Sequence, residues 1–402
     1  MFRFRDIPAA FRRCALGIGV LTLFVNAAMA QDSIPPKKEK KCSLNGYVKN
    51  MQTVWFQDFS GNWLTDNLLH NRLNFKWFPR NNIKVVAEAR NRFIYGEMVE
   101  MLSSSGLYSA KDNGLVNLSL MESGTSWVAH AMIDRAYLDM TFGKLQIRAG
   151  RQRVNWGMNL VWNPNDVFNA FSFFDFDYEE RPGMDGIRLQ YYTGAASSAE
   201  FVYKANADFQ KSAFAGQYKL NKWNYDFQFL GGYNDYDLFA GAGWAGQIKG
   251  GGFRGEATYF HPSDNFSDTS GQVVAAISGD YSFKKGLYLH GGVLYNSAGS
   301  DKRRGTGSMF TLDSGGMSAK SLSASMLSIF AQVSTPLHPL LRADLAAMIN
   351  PHDGSFFTGP SFSFSASQNI EMMLSTQLFF GPKQSEFGDI GYLGYLRVRY
   401  SF

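Results

Sequence analysis

Apolar and polar side chains alternate with a period of two through almost the whole chain from Leu44 to Phe402, and this pattern dictates strands. Leu69, Asn71, Leu73, Phe75 and Trp77 share one parity, and His70, Arg72, Asn74 and Lys76 share the other. After Pro79-Arg80-Asn81-Asn82 the pattern resumes, with Ile83, Val85, Ala87, Ala89, Phe93 and Tyr95 against Lys84, Glu88, Arg90 and Arg92. It closes the chain with Tyr392, Leu396, Val398, Tyr400 and Phe402 opposite Arg397 and Arg399. Successive side chains on a strand point to opposite faces, so each segment carries one greasy and one charged face. No convincing amphipathic helix is legible. The longest apolar run, Cys14 to Val25, falls short of the roughly 18 residues that a membrane-spanning helix needs.

Alternation alone fits a soluble sandwich as well as a barrel, and connection lengths separate the two. Eighteen strands are legible, with sixteen as the alternative. Every second gap is a tight turn, whereas 96–126, 157–185 and 296–322 are long; the short gap 234–237 weakens the asymmetry. Short turns on one rim and long loops on the other predict an all-β fold, a transmembrane antiparallel up-and-down β-barrel. Hydrocarbon offers no partner to backbone N–H and C=O groups, so a sheet crosses a bilayer only when it closes on itself. Closure turns the greasy face toward lipid and the charged face toward enclosed water. That places Arg72, Lys76, Lys84, Glu88, Arg90, Arg92, Arg148, Arg188, Arg397 and Arg399 along the lumen. Arg151 and Arg153 break the rule, because they share the parity of Leu145, Ile147 and Ala149; either a bulge at Gly150 or a position above the membrane accounts for them. The 35 Phe, 19 Tyr and 8 Trp are heavy for a soluble protein and suit a lipid-facing wall.

Ahead of the strands, Arg3, Arg5, Arg12 and Arg13 precede the apolar run, and Ala28-Met29-Ala30 offers small residues for processing. Residues 1–30 read as a secretory signal peptide cleaved after Ala30, 31–43 as a charged periplasmic linker and 44–402 as the barrel. Removing the signal lowers the net charge from +5 to +2, so no nucleic-acid partner is implied. It also removes Cys14 and leaves Cys42 without an internal partner.

The terminal segment from Tyr395 to Phe402 resembles the C-terminal assembly signal of outer-membrane barrels. A second stretch combines Gly150-Arg151-Gln152-Arg153-Val154-Asn155-Trp156-Gly157, Trp162-Asn163-Pro164-Asn165-Asp166 and Glu180-Arg181-Pro182-Gly183-Met184-Asp185-Gly186-Ile187-Arg188-Leu189. It resembles a large family of Gram-negative outer-membrane porin-like barrels and, loosely, alginate-export porins. The match covers about forty residues. The resemblance implies outer-membrane localisation, contact with lipid and lipopolysaccharide, and delivery to the barrel-assembly machinery through Phe402. It fixes no solute and no oligomeric state.

The 157–185 segment mixes aromatic residues, among them Trp162, Phe171, Phe173 and Phe174, with Asp166, Asp175, Asp177, Glu179, Glu180 and Asp185. So much apolar area argues for a loop folded inward against the wall. Trp162, Asn163, Arg181 and the carboxylates would then form a constriction opposite the basic strands. Twelve basic against seven acidic lumen positions favour anions mildly. Gly241 to Gly246 matches G-x-G-x-x-G but lies within a strand, the six histidines have no metal-ligand spacing, and no G-x-S-x-G occurs. No enzyme, metal or cofactor is expected. The reading is a channel for passive diffusion of small polar, mildly anion-preferring solutes. Its rivals are an export conduit for an anionic polysaccharide and a plugged barrel serving as adhesin or structural protein.

Overall fold

In the computed structural model, the described residues are 41–103, 112, 114–175, 180–181, 183–264, 266–300 and 317–402. Nineteen strands form one sheet: β1 Cys42–Phe56, β2 Leu64–Arg80, β3 Ile83–Gly96, β4 Ser119–Ser123, β5 Trp127–Phe142, β6 Leu145–Gln152, β7 Met184–Tyr192, β8 Ser198–Lys204, β9 Ala213–Lys222, β10 Tyr225–Asn234, β11 Asp237–Ile248, β12 Gly251–Pro262, β13 Gln272–Ser282, β14 Tyr288–Asn296, β15 Leu327–His338, β16 Leu341–Ile349, β17 Phe356–Ser365, β18 Ile370–Phe380 and β19 Tyr392–Ser401. Eighteen of them close an antiparallel barrel, as the alternation predicts. Closure runs from Tyr47↔Ser401 to Phe56↔Tyr392, and Phe402 and Gly46 exchange both backbone bonds at 3.0 Å.

The extra strand, β4, pairs only with β5, where it extends the wall beyond the end of β6. Neither it nor the short helix α1, Glu97–Ser103, about two turns long, is visible in the alternation. The helix begins beside Asp66, whose Oδ1 accepts the Val99 N–H at 3.2 Å. Hairpin ends follow local turn chemistry: Trp223-Asn224, Asp235-Tyr236 and Lys249-Gly250 carry positive φ at both positions, the twist that two-residue connections require.

The outer face is a greasy wall, with Leu69, Leu73, Phe75 and Trp77 exposed along β2. The inner face divides in two. Toward the rim with the termini it is polar. Toward the rim with the long loops it is apolar on both parities: Phe356, Ile329, Val273 and Tyr259 are exposed outward, while their neighbours Phe357, Phe330, Val274 and Phe260 are buried inward. A barrel open to water would not place those inward residues there. They are covered by the chain between β6 and β7. Strand β6 accordingly ends at Gln152 although apolar residues continue beyond it, because Val154 and Trp156 turn into the apolar cluster.

Candidate functional site

After Gln152 the chain enters the barrel and makes a circuit of its inner wall. Trp156 Nε1 donates to Glu200 Oε1 on β8 at 2.7 Å, and Gln228 Nε2 on β10 donates to the Trp156 carbonyl at 2.8 Å. Asn165 Nδ2 reaches the Ala242 carbonyl on β11, and Ser278 on β13 donates to Asn159. Trp162 packs edge-on against Phe330 of β15, and Phe174 meets Phe357 and Phe379 of β17 and β18. Gln377 on β18 then binds the Phe174 carbonyl at 2.9 Å. The circuit ends at Glu180, where Tyr47 on β1 donates to Oε1 at 2.8 Å and Arg135 on β5 binds the carbonyls of residues 180 and 181.

One carboxylate pins the first half of this path. Glu256 on β12 is 1% exposed and accepts three loop N–H groups, from Met158, from Asn159 at 2.6 Å and from Asn165 at 2.9 Å. Thr258, two residues on, donates to Pro164 O and Asn165 Oδ1. Gly241 and Gly243 on β11 make room for this docking: a Cβ on either would stand 2.9 Å from the Asn165 amide.

The predicted constriction residues occupy different places on the circuit. Trp162, Asn163 and Asp166 are buried between loop and wall instead of facing water. Asp166 lies beside Arg153 and Arg181, and burial pushes its carboxyl up to about 6 against the pull of those two cations. Arg181 adopts φ +56 and lays its guanidinium 3.2 Å from the centre of the Phe171 ring. Glu180 opposes the basic strands, with Arg72 at 3.6 Å. Asp175 is half-buried, and Asp177 and Glu179 fall outside the described residues.

Asp185 is not on the loop's inner side, contrary to the sequence expectation. It belongs to β7 on the outward parity of Ile187 and Leu189, paired with Arg151 of β6. Gly150 has φ +117, yet the register through it is continuous, so no bulge resets the parity and Arg151 stays outward. Its guanidinium, 3% exposed, is covered by the segment before β4: it binds Asp185, Asp112 at 2.7 Å and the Val116 carbonyl. Gly114 lies so close above it that a Cβ would collide with the guanidinium.

The basic residues share the inward face, mostly in ion pairs. Arg72 binds Glu88 and Asp134, Arg90 faces Asp134, Arg148 and Lys84 share Asp139, Arg188 binds Glu200 and Arg397 binds Glu371. Lys76 is half-buried on β2, and Arg399 stacks on the Tyr47 ring at 4.4 Å. Register across five strands places Arg399, Lys49, His70, Arg92 and His130 in one row. In that row Arg92 Nε and His130 Nε2 are buried without a hydrogen-bond partner among the described residues. Asp134 was missed because a β-bulge on β5, opposite Glu88 and Ala89, turns both Asp134 and Arg135 inward.

Solved structures with this architecture come from Gram-negative genera. Acinetobacter baumannii OccAB4 superposes with a TM-score of 0.57 over 92% of this chain and 100% of that one, at 11% identity. The outer membrane protein OprD from Pseudomonas aeruginosa gives 0.56 over 90% and 93%, at 11% identity, and Pseudomonas aeruginosa OccK8 (OprE) gives 0.55 over 90% and 98%, at 10%. The fold is that of outer-membrane porins. No protein-family profile and no curated protein matches the chain, and the likeness to alginate-export porins is not found among these neighbours.

Proposed function

We propose that this chain is an outer-membrane channel of a Gram-negative bacterium through which small polar solutes, anions preferentially, diffuse passively through a lumen narrowed by the 157–185 loop. The observation that carries the reading is the course of the loop, which lies against the inner wall from β8 to β18 and brings Glu180 back to the basic strands. Such a path narrows the barrel while leaving the ionised side chains of β1, β2, β3 and β5 along it. Anion preference rests on the row containing Arg92 and His130. It is mild, because Arg72, Arg90, Arg148, Arg188 and Arg397 are each paired with a carboxylate. In this reading residues 1–30 are cleaved after Ala30, a linker precedes β1, which takes in Cys42 and Ser43 from the end of the expected 31–43 linker, and the Phe402 segment addresses the chain to the barrel-assembly machinery. Lipid and lipopolysaccharide surround the wall.

Reversal potentials across a planar bilayer under a salt gradient test the proposal. The expected result is a mild anion preference that Arg92→Ala diminishes. Clear cation selectivity in the unmodified protein would overturn the anionic preference, and absence of conductance would overturn the channel.

A further inference from the structure

The two rims of the barrel carry opposite charge. Eight short turns join β2 to β3, β5 to β6, β7 to β8, β9 to β10, β11 to β12, β13 to β14, β15 to β16 and β17 to β18. The residues that turn there, 79–82, 143–144, 193–197, 221–224, 249–250, 283–287, 335–340 and 366–369, include no Asp or Glu. Arg80, Lys144, Lys222, Lys249, Lys284 and Lys285 are all among them, and all six are exposed. At the rim of the long loops the exposed charges among the described residues are mainly acidic, with Asp58, Glu97, Asp208, Asp235 and Asp264 set against Lys211 and Lys383.

Among the described residues none of the six cations is in an ion pair, because the acids of the adjoining strand ends are taken by lumen-facing bases. Asp139 is held by Arg148, Asp280 by Arg254, Asp344 by Arg342 and Glu371 by Arg397. Asp226, beside the β9–β10 turn, accepts the Asn221 amide at 2.7 Å. Exposed rings stand beside the turns and continue the greasy outer face: Trp77, Phe142, Tyr191, Trp223 and Phe283. Such a girdle marks the boundary between hydrocarbon and headgroups. Lys222 lays its ammonium 4.4 Å from the centre of the Trp223 ring, so charge and girdle stand at one level. From there a lysine keeps its stem on apolar surface while its charged end reaches the headgroup phosphates.

We propose that this cationic ring is a binding surface for anionic phospholipid headgroups in the leaflet that faces the periplasm. Short turns lie on the periplasmic side of outer-membrane barrels, so the ring meets phospholipid and not lipopolysaccharide. Each lysine near an anionic surface adds attraction that fades within a Debye length, and with no carboxylate in the turns nothing on this rim opposes it. Spread around the rim from β2 to β14, the six charges gather a shell of lipid instead of one bound molecule. The inference rests on the barrel lying in a bilayer, as proposed above, and does not depend on whether the lumen conducts.

The test places the full-length protein in phosphatidylcholine vesicles with a trace of spin-labelled phosphatidylglycerol or of spin-labelled phosphatidylcholine, and electron spin resonance reads the fraction of each held at the barrel. Phosphatidylglycerol is expected to associate about five-fold more strongly, the attraction of one lysine near a charged headgroup. Salt at about 1 M, where the Debye length is roughly 3 Å, is expected to remove most of the difference. Arg80→Gln, Lys144→Gln, Lys222→Gln, Lys249→Gln, Lys284→Gln and Lys285→Gln combined are expected to bring the two lipids to parity, whereas Lys211→Gln with Lys383→Gln on the opposite rim leaves the preference intact. Inorganic phosphate in place of chloride at equal ionic strength is expected to change nothing. Equal association of both lipids with the unmodified protein, the result if an acidic protein were the partner, would overturn the assignment. So would a preference that survives high salt or the six substitutions, or one that inorganic phosphate abolishes. Protein that stays dissolved without detergent would overturn the bilayer reading beneath it, and a silent planar bilayer would overturn the channel alone.

Discussion

Replacing Glu256 with Ala removes the single group that accepts N–H bonds from Met158, Asn159 and Asn165. A hydrogen bond to a charged acceptor is worth about 1.5–3 kcal/mol, and a donor left buried costs a comparable amount. Asn165 is fully buried, whereas Met158 and Asn159 are half-buried and recover part of the loss from water. The first half of the loop is therefore expected to lose about 4 kcal/mol of docking free energy. The second half keeps its Phe173 and Phe174 contacts and stays in place. Hydrogen exchange read by mass spectrometry is the direct assay: the amides of residues 158, 159 and 165 should exchange roughly a thousand-fold faster, at about 1.4 kcal/mol per factor of ten. Single-channel conductance should rise as the segment leaves the wall. Unaltered exchange at those amides would refute the pinning role, whatever the conductance does.

Asp185→Ala leaves the buried Arg151 guanidinium with Asp112 and backbone carbonyls only, and is expected to destabilise the barrel by about 3–5 kcal/mol, read as a lower temperature for the heat-dependent shift in gel migration. Phe174→Ala withdraws a ring from Phe357, Phe379 and Phe387; a cost of about 3–5 kcal/mol should appear as noisier current and faster proteolysis within the loop. For Asp166 the folded carboxyl, at about 6, lies above its unfolded value of about 3.9, so its contribution to docking is fully present below the unfolded value and is lost as pH rises through the folded one. Conductance should thus increase from pH 5 to pH 8, and Asp166→Asn should flatten the profile.

The barrel was legible because lipid imposes one rule on every strand, and the tight turns marked where each strand reversed. What the pattern concealed follows from places where a second layer of protein replaces lipid or water. Phe356-Phe357 and Ile329-Phe330 break the alternation because the loop gives their inward side chains an apolar neighbour. Such doublets near the long-loop ends of strands are the signal from which its docking track could have been read. Arg151 and Asp185 obey outward parity but escape lipid beneath the segment leading into β4, a contact between distant parts of the chain that periodicity does not carry. The loop's aromatic content foretold inward packing, yet not that Asp166 would be buried with Arg153 and Arg181. Asp134 was hidden by a bulge.

Purified processed protein added to a planar bilayer gives the most direct test of the central claim. Discrete, stable current steps, larger for Glu256→Ala than for the unmodified chain, are the predicted result. A bilayer that stays silent although the folded barrel has inserted would contradict an open, loop-narrowed passage.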